Sequence, residues 1–474
     1  MPVKVGMVSL GCPKNLVDSE VMLGTLARED YQITNDASEA EVLIVNTCGF
    51  IDKAKKESVD TILEMARHKE SGACRRLIVT GCLVQGYVDD LKKELPEVDA
   101  FLGSADYPRI ASVVAELVAS KKKKAPPLIS VNSPVYLYDE NSPRILATPS
   151  YSAYLKMAEG CDHACAFCDI PRLRGRLRSR MVESCVAEAT QLAKQGVREL
   201  NLISQDSSEY GRDLYGEPRL MQLLQALDGV EALRWIRVHY LYPAFLTDGL
   251  MDAMAQGSRL VKYVDLPLQH ADDAMLKAMR RPGSYDANLK LLKRFRDRVP
   301  GVSMRSSFIV GYPGETEAQF KRLLEFLKEA KLDRAGFFTY SQETATPSGL
   351  LEGQLPDKVK RERQKAASIL AAEISEKQLK AKVGSTIEVL VESRPGDGWG
   401  ASHDGMEHGE ASGLRGRPKA PASARYSGRS QGDAPDIDGK VTFSAAGPGP
   451  RPGEFVKVKI ESSDAYDLHG SMLA

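Results

Sequence analysis

The chain has 474 residues, of which 43% are hydrophobic and 27% are charged, the balance of an ordinary globular protein. This length exceeds what one hydrophobic core supports and indicates about three domains. Because Lys plus Arg and Asp plus Glu both number 64, the overall charge favours neither a nucleic acid nor a membrane as partner.

The N-terminus lacks the charged start, apolar stretch and cleavage site of a secretory signal. No apolar run reaches the roughly 20 residues that span a bilayer, so no membrane partner is expected. We therefore expect a cytoplasmic protein with reduced thiols, in which clustered cysteines are metal ligands rather than disulfides.

Residues 1–118 alternate short apolar runs with helical patterns, which predicts an α/β domain with a parallel sheet. The apolar runs are Val3–Leu10, Glu41–Asn46 and Arg76–Thr80, with helical stretches at Ser19–Ala27 and Lys53–Ala66. Residues 119–146 include the charge run Lys121–Lys124 followed by prolines, and we interpret them as a linker.

Residues 147–382 resume the alternation of strands and helices. The predicted strands are Ser152–Met157, Glu199–Ser204, Arg234–Tyr240, Tyr263–Leu266, Ser303–Val310 and Ala335–Tyr340. Six strand–helix units predict an open barrel, because a closed one takes eight. A long charged helix, Asp357–Gly384, leaves this barrel.

Residues 383–474 predict a small all-β barrel, with strands Ser385–Val391, Gly439–Phe443 and Phe455–Ile460. Residues 396–435 are rich in Gly, Ser, Arg and Pro, and we expect a flexible insert there.

Three cysteines lie within eight residues just after the first predicted barrel strand: Cys161, Cys165 and Cys168. Loops at this end of barrel strands carry chemistry. Three thiolates suit an iron–sulfur cluster or zinc. The spacing favours iron–sulfur and leaves a zinc site with His163 as fourth ligand as the alternative.

The pattern Cys-x-x-x-Cys-x-Phe-Cys, with Phe167 as its aromatic residue, resembles the signature of the radical S-adenosylmethionine (SAM) enzymes. The resemblance implies a four-iron cluster that donates one electron to SAM, which yields methionine and a 5′-deoxyadenosyl radical. Cys161, Cys165 and Cys168 would be its ligands and the catalytic centre.

Two further segments resemble SAM-contacting motifs of that family. Ile203-Ser204-Gln205-Asp206 follows the second strand, and Val310-Gly311 belongs to the segment that would lie along the adenine. The resemblance implies that Phe167, Ser204, Gln205, Val310 and Gly311 bind SAM. Taken alone, each segment is equally compatible with an ordinary turn between a strand and a helix.

Cys12, Cys48 and Cys82 each follow a predicted N-terminal strand. The carboxyl ends of parallel strands share one edge, so these thiols can meet and hold a second iron–sulfur cluster. The alternative is three isolated buried cysteines, as we interpret Cys74 and Cys185.

Two three-cysteine sites, an α/β N-terminal domain, an open barrel and a terminal β-barrel similar to a TRAM domain together resemble the methylthiotransferases. The resemblance covers nearly the whole chain. It implies two 4Fe-4S clusters, with SAM used both as methyl donor and as radical source. It also implies an electron donor and a sulfur donor, neither of which the sequence identifies.

The substrate separates two branches of this family, which modify either a tRNA adenosine or an aspartate of a ribosomal protein. Three segments resemble the second branch: Ser9–Glu20, Ser204–Asp206 and Gly428–Gly439. They imply the β-carbon of an aspartate in small-subunit ribosomal protein twelve. The competing hypotheses are the tRNA enzyme and a non-catalytic metal-cluster protein that binds RNA through its terminal barrel.

The net charge of the C-terminal segment supports a protein rather than an RNA substrate. Residues 438–474 contain four Lys and Arg against five Asp and Glu, a net charge of −1, whereas RNA-binding barrels are usually basic. Five alternating arginines from Arg172 to Arg180 either approach an anion or form a solvated face, and they do not choose the substrate. The long Gly396–Ala420 insert departs from the family pattern and puts the mode of substrate docking in doubt.

Overall fold

The structure is a computed structural model that describes residues 2–120, 126–256, 259–395, 425–447 and 449–473. The run Lys121–Lys124 and residues 396–424 of the predicted insert lie outside the described residues. None of the helices in these ranges has both the length and the apolar composition needed to cross a membrane.

The N-terminal unit is a six-stranded parallel sheet with helices on its faces. Its elements are β1 (Lys4–Ser9), α1 (Pro13–Arg28), β2 (Gln32–Thr34), β3 (Val42–Thr47), α2 (Asp52–Ser71), β4 (Arg76–Gly81), α3 (Cys82–Glu94), β5 (Ala100–Leu102), α4 (Ile110–Ala119) and β6 (Leu128–Ser130). The strand order is β2-β1-β3-β4-β5-β6. Every residue of β3 is buried, as expected for a central parallel strand covered on both sides.

One sequence expectation was wrong here. Leu128–Ser130 lies in the predicted linker, yet it pairs with β5 as the edge strand of the sheet. Three residues beside prolines carry too little periodicity to indicate a strand. The strand forms because these residues pair with Ala100–Leu102, which lie elsewhere in the chain.

The central unit contains all six predicted barrel strands. Its elements are β7 (Ser152–Lys156), β8 (Ala158–Glu159), α5 (Ile170–Arg174), β9 (Arg178–Ser179), α6 (Val182–Lys194), β10 (Glu199–Ile203), α7 (Arg212–Tyr215), α8 (Leu220–Asp228), β11 (Trp235–Val238), α9 (Asp248–Gln256), β12 (Tyr263–Asp265), α10 (Asp273–Ala278), α11 (Tyr285–Arg298), β13 (Ser303–Val310), α12 (Glu317–Ala330), β14 (Arg334–Thr339) and α13 (Asp357–Lys380). The strands form two parallel sheets, β11-β10-β7 and β12-β13-β14, joined by a bridge between Ile236 and Leu260. The barrel is therefore open, as predicted.

Local sequence signals explain how the barrel helices pack. In α12, Phe320, Leu323 and Leu327 recur at helical spacing and are buried against the sheet. The helix begins with a capping box in which the Thr316 side chain accepts from Gln319 N, while Gln319 caps the Thr316 backbone.

The C-terminal unit is a closed five-stranded barrel with the order β15-β16-β17-β19-β18. Its strands are β15 (Thr386–Ser393), β16 (Tyr426–Ser430), β17 (Val441–Ser444), β18 (Phe455–Ser463) and β19 (Leu468–Met472). We expected Tyr426–Ser430 to lie in a flexible insert, and this was wrong. The segment pairs with both β15 and β17, because tertiary contacts order a sequence whose composition is typical of a loop.

The segment 429–438, which we call the base segment, docks this small barrel under the central one. Arg429 is 2% exposed and donates to both carboxylate oxygens of Glu199, at 3.0 and 2.6 Å. Glu199 is the first residue of β10, so the contact lies at the amino end of the barrel strands. Three further contacts lie at the first residues of other strands: Tyr263 Oη to Asp438 at 2.7 Å, Ser303 Oγ to Gly432 O at 2.9 Å, and Arg334 to Asp433 at 2.9 Å.

Candidate functional site

The loop that follows β8 carries Cys161, Cys165 and Cys168 at the carboxyl end of the barrel strands, which we call the mouth. Its shape is fixed by backbone bonds: Cys161 N donates to Gly175 O at 3.1 Å, and Cys168 N donates to Cys165 O at 3.2 Å. Burial raises the pKa of the Cys161 and Cys168 thiols to about 12, and the neighbouring Cys165 adds to the increase in both. The structure thus brings these three thiols together.

His163, the fourth ligand in the zinc alternative, makes other contacts. Its Nε2 lies 2.5 Å from Asp206 Oδ2, and its ring stacks on Tyr242 with the centroids 3.9 Å apart. A contact to the triad comes from its backbone, whose N–H donates to Cys161 Sγ at 3.5 Å. The imidazole therefore orients the loop against the end of β10, an arrangement that disfavours the zinc reading.

The residues expected to bind SAM lie around this loop, in different environments. Phe167 and Ile309 both pack against a small core cluster that contains Tyr312, which places Phe167 near the Val310-Gly311 segment. Gly311 has φ +76°, and a Cβ there would lie 2.4 Å from Lys360 Cγ, so the position requires glycine. Val310 is fully buried and its carbonyl accepts from Tyr340 N at 2.9 Å, which makes it a core residue.

Gln205 has an unsatisfied acceptor beside the mouth. Its Nε2 donates to Glu159 Oε1, while its buried Oε1 has no hydrogen-bond partner among the described residues. A buried polar atom without a partner is costly and is typical of ligand sites. Ser204, by contrast, is fully buried, and its hydroxyl pairs with Ser207 at 3.0 Å, so its role is to shape the turn.

Cys12, Cys48 and Cys82 meet at the edge of the N-terminal sheet. Cys12 caps α1, Cys48 follows β3, and Cys82 begins α3. A Cβ on Gly11, which has φ +88°, would lie 2.7 Å from Cys48 Cβ, so only glycine lets the two loops approach. Burial, together with the charges of Cys82 and Cys12, raises the pKa of the Cys48 thiol to about 12.

Each triad offers three soft sulfur donors, and a thiol that coordinates a metal ion is held as the thiolate. Three such donors suit an iron–sulfur cluster that leaves one iron open. The donor chemistry of both triads therefore fits a cluster.

A buried ionic network joins the barrel to the N-terminal triad, and sequence reasoning missed it. Arg174, which follows the barrel cysteine loop, donates from Nε to Cys82 Sγ at 3.1 Å and from Nη1 to Asp18 at 2.6 Å. Lys156 also pairs with Asp18, and it contacts Glu159 at 2.6 Å. A charged side chain of the barrel thus contacts a cysteine of the N-terminal domain.

The other alternating arginines fit neither sequence hypothesis as a group. Arg180 is buried and pairs with Glu188, while the Arg176 side chain is 87% exposed and pairs with Asp162 at 3.2 Å. Side chains two residues apart on a strand share one face, so their spacing alone would place all five arginines together. They are separated because the segment is not one strand: Arg172 and Arg174 lie in α5, and Arg178 begins the two-residue β9.

Cys74 and Cys185 lie away from both triads. Cys74 Sγ donates to Arg76 O at 3.3 Å, and Cys185 is buried in the barrel core near Tyr210. Both environments agree with the structural role that we expected for them.

An open parallel barrel with three clustered thiols at its mouth defines the class of the radical SAM enzymes. Three family models agree with this architecture: Uncharacterized protein family UPF0004 at residues 4–103, the Radical SAM superfamily at 155–327 and the TRAM domain at 420–473. The radical SAM methyltransferase TsrM from Kitasatospora setae shares the fold with a TM-score of 0.53 at 14% identity, over 73% of this chain and 75% of that one.

Full-length relatives narrow the class. The ribosomal protein uS12 methylthiotransferase RimO of Symbiobacterium thermophilum is 48% identical over 99% of this chain and 91% of its own length. The protein of the same description from Desulforamulus reducens is 47% identical over 99% of both. This chain belongs to the RimO family of radical SAM methylthiotransferases.

Proposed function

We propose that this protein adds a methylthio group to the β-carbon of an aspartate in ribosomal protein uS12, the small-subunit ribosomal protein twelve. The observation that carries the proposal is the near full-length identity of 44–48% to proteins described as uS12 methylthiotransferases. Two three-thiol sites, one in the N-terminal domain and one at the mouth of the barrel, are what such a two-part reaction needs. The presence of a ribosomal substrate and eight free cysteines supports a cytoplasmic location.

We assign Cys161, Cys165 and Cys168 as ligands of the 4Fe-4S cluster that binds SAM, and Cys12, Cys48 and Cys82 as ligands of the second 4Fe-4S cluster. When bound, these groups supply the electron transfer, the radical chemistry and the sulfur. The assignment rests on the grouping of three thiols in each triad and on their placement at the ends of parallel strands.

The protein's own groups hold and shield this chemistry. Gly311 and Phe167 form one wall of the SAM site, and Gln205 Oε1 offers it an acceptor. Arg174 fixes the N-terminal domain over the mouth through Cys82 and Asp18. A closed mouth excludes water and reductants, which otherwise quench radical intermediates.

The choice between a protein and a tRNA substrate is tested by anaerobic reconstitution followed by turnover. The two substrates offered are a uS12 peptide and a tRNA anticodon stem-loop. We expect about eight irons per chain from two four-iron clusters, 5′-deoxyadenosine release, and a methylthio mass gain on the peptide. Mass gain on the RNA alone would refute the proposal. Stoichiometric zinc without SAM cleavage would refute the radical class as well.

A further inference from the structure

Lys14 has no anionic partner among the described residues. The residue is 6% exposed, and its ammonium makes no hydrogen bond and no ion pair within those residues. Its specific contact there is the ring of Tyr240, whose centroid lies 3.2 Å from Nζ. A cation–π contact leaves the hydrogen-bond donors of the ammonium available to an anion.

Helix stability does not explain this lysine. Lys14 lies in the first turn of α1, which has no acidic residue there. The positive end of the helix dipole disfavours a cation in that turn. Helix polarity therefore gives no reason for a lysine at this position.

The ammonium lies beside the mouth of the barrel. Lys14 is two residues from Cys12, and Tyr240, which it contacts, follows β11 at the mouth. The charge of Lys14 reaches the inner face of the barrel: burial, then Arg237, Arg305 and Lys14, hold the pKa of His239 well below its usual range. Lys14 is thus close in sequence to the N-terminal triad and contacts the end of the barrel that carries the other triad.

The backbone beneath Lys14 is strained. Tyr240 has φ +59°, and Gln269, beyond the end of neighbouring β12, has φ +72°. A bulky residue in this region costs of order 1–3 kcal/mol and persists only where the surroundings enforce it. Such residues cluster at binding sites, and here two of them lie at adjacent strand ends beside an unpaired cation.

We propose that Lys14 binds the carboxylate of the substrate aspartate and so selects it and orients its β-carbon between the triads. The inference rests on the proposed function, which supplies a substrate with a carboxylate one bond from the reacting carbon. A buried ammonium then gains the counter-ion that it lacks in the free protein. An asparagine in the same place offers no charge and leaves the ammonium unpaired.

The test compares two uS12 peptides, one with the target aspartate and one with asparagine there. Binding to the reconstituted protein is measured anaerobically by fluorescence anisotropy without reductant, so that no turnover occurs. We expect the wild type to bind the aspartate peptide at least about thirtyfold more tightly, the equivalent of about 2 kcal/mol for a desolvated charge pair. Equal affinities for the two peptides would overturn the proposal without any variant.

Lys14→Met removes the charge at nearly constant length, and Lys14→Gln provides a second variant in case the first fails to fold. Either should bind the two peptides within about twofold of each other, while the matched surface change Lys92→Met keeps the wild-type preference. Iron content should match the wild type, and the melting temperature should not fall. A Lys14 variant that keeps the thirtyfold preference contradicts the proposal.

The methionine end of SAM is the other source of a carboxylate. SAM affinity without peptide should be unchanged in Lys14→Met, and a loss of SAM affinity with an intact peptide preference would assign the contact to SAM and overturn the proposal. Failure of the proposed function is distinct, because the wild type would then modify the stem-loop and bind neither peptide.

Discussion

The base and the mouth of the central barrel both hold buried charges, but they use them differently. At the base, Arg429 and Arg237 share the carboxylate of Glu199, and Arg334 pairs with Asp433. At the mouth, the ammonium of Lys14 and the Oε1 of Gln205 lack polar partners within the described residues. Paired charges hold domains together at the base and, through Arg174 and Lys156, at the mouth as well. The mouth differs because, within the described residues, it adds a lysine that has no carboxylate partner.

The largest effect should come from the cysteines of the mouth. Cys165→Ala should abolish 5′-deoxyadenosine production, because the cluster that binds SAM loses a ligand. Cys48→Ala should retain part of that production but stop methylthio transfer, as measured by chromatography and peptide mass. Cys74→Ser, a buried thiol outside both triads, serves as the control. If both triad variants lose all SAM cleavage while folded, the division of labour between the triads is wrong.

Substitutions that remove contacts at the barrel base should lower the stability of the protein rather than its catalytic activity. Arg429→Met leaves Glu199 buried with a single cation, and we expect a loss of about 3–5 kcal/mol in the free energy of unfolding. Urea titration followed by fluorescence measures it. Adding Glu199→Gln should recover none of the loss, because the buried Arg237 is then left without its carboxylate partner. Arg451→Met, an exposed arginine of the same domain, should change stability little.

Acid should weaken the same base contact. Although burial opposes ionisation of Glu199, Arg429 and then Arg237 hold its pKa at about 2, below the ordinary 4.5. A lowered pKa in the folded state means that this stabilisation is complete above pH 4.5 and is lost as the pH falls toward 2. Melting temperature measured against pH should fall less steeply in that window for Glu199→Gln. Parallel curves for the two proteins would contradict the assignment.

The smallest expected effects are those of substituting Arg174 and Arg176, which lie in one segment. Arg174→Met removes contacts to Asp18 and Cys82 and should weaken docking of the N-terminal domain by about 2–3 kcal/mol, seen as faster limited proteolysis between the domains. Arg176→Met should stay within about 0.5 kcal/mol, because an exposed ion pair contributes little. Equal effects of the two substitutions would mean that the contacts of Arg174 do not hold the N-terminal domain on the barrel.

Much of the fold was predictable because its signals are local. The six barrel strands follow from apolar runs between helical patterns, and the cysteines from their spacing and their place after strands. Leu128–Ser130 and Tyr426–Ser430 were missed because their pairing partners lie elsewhere in the chain. Gly428–Gly439 was recognised as a motif. That its base segment docks the small barrel on the central one depends on contacts to residues about 100 to 230 positions away, which the sequence does not reveal.

The sequence by itself determined the family, the cluster ligands that we propose and the order of the three domains, since these follow from residue types at fixed spacing. Only the tertiary structure decided which charges are paired. Lys14 is one of 64 basic residues in the sequence, and Arg174 one of five alternating arginines. Burial and the distance to a counter-ion arise when separate segments meet, and these two quantities distinguish a cation that binds the domains together from one that is left for the substrate.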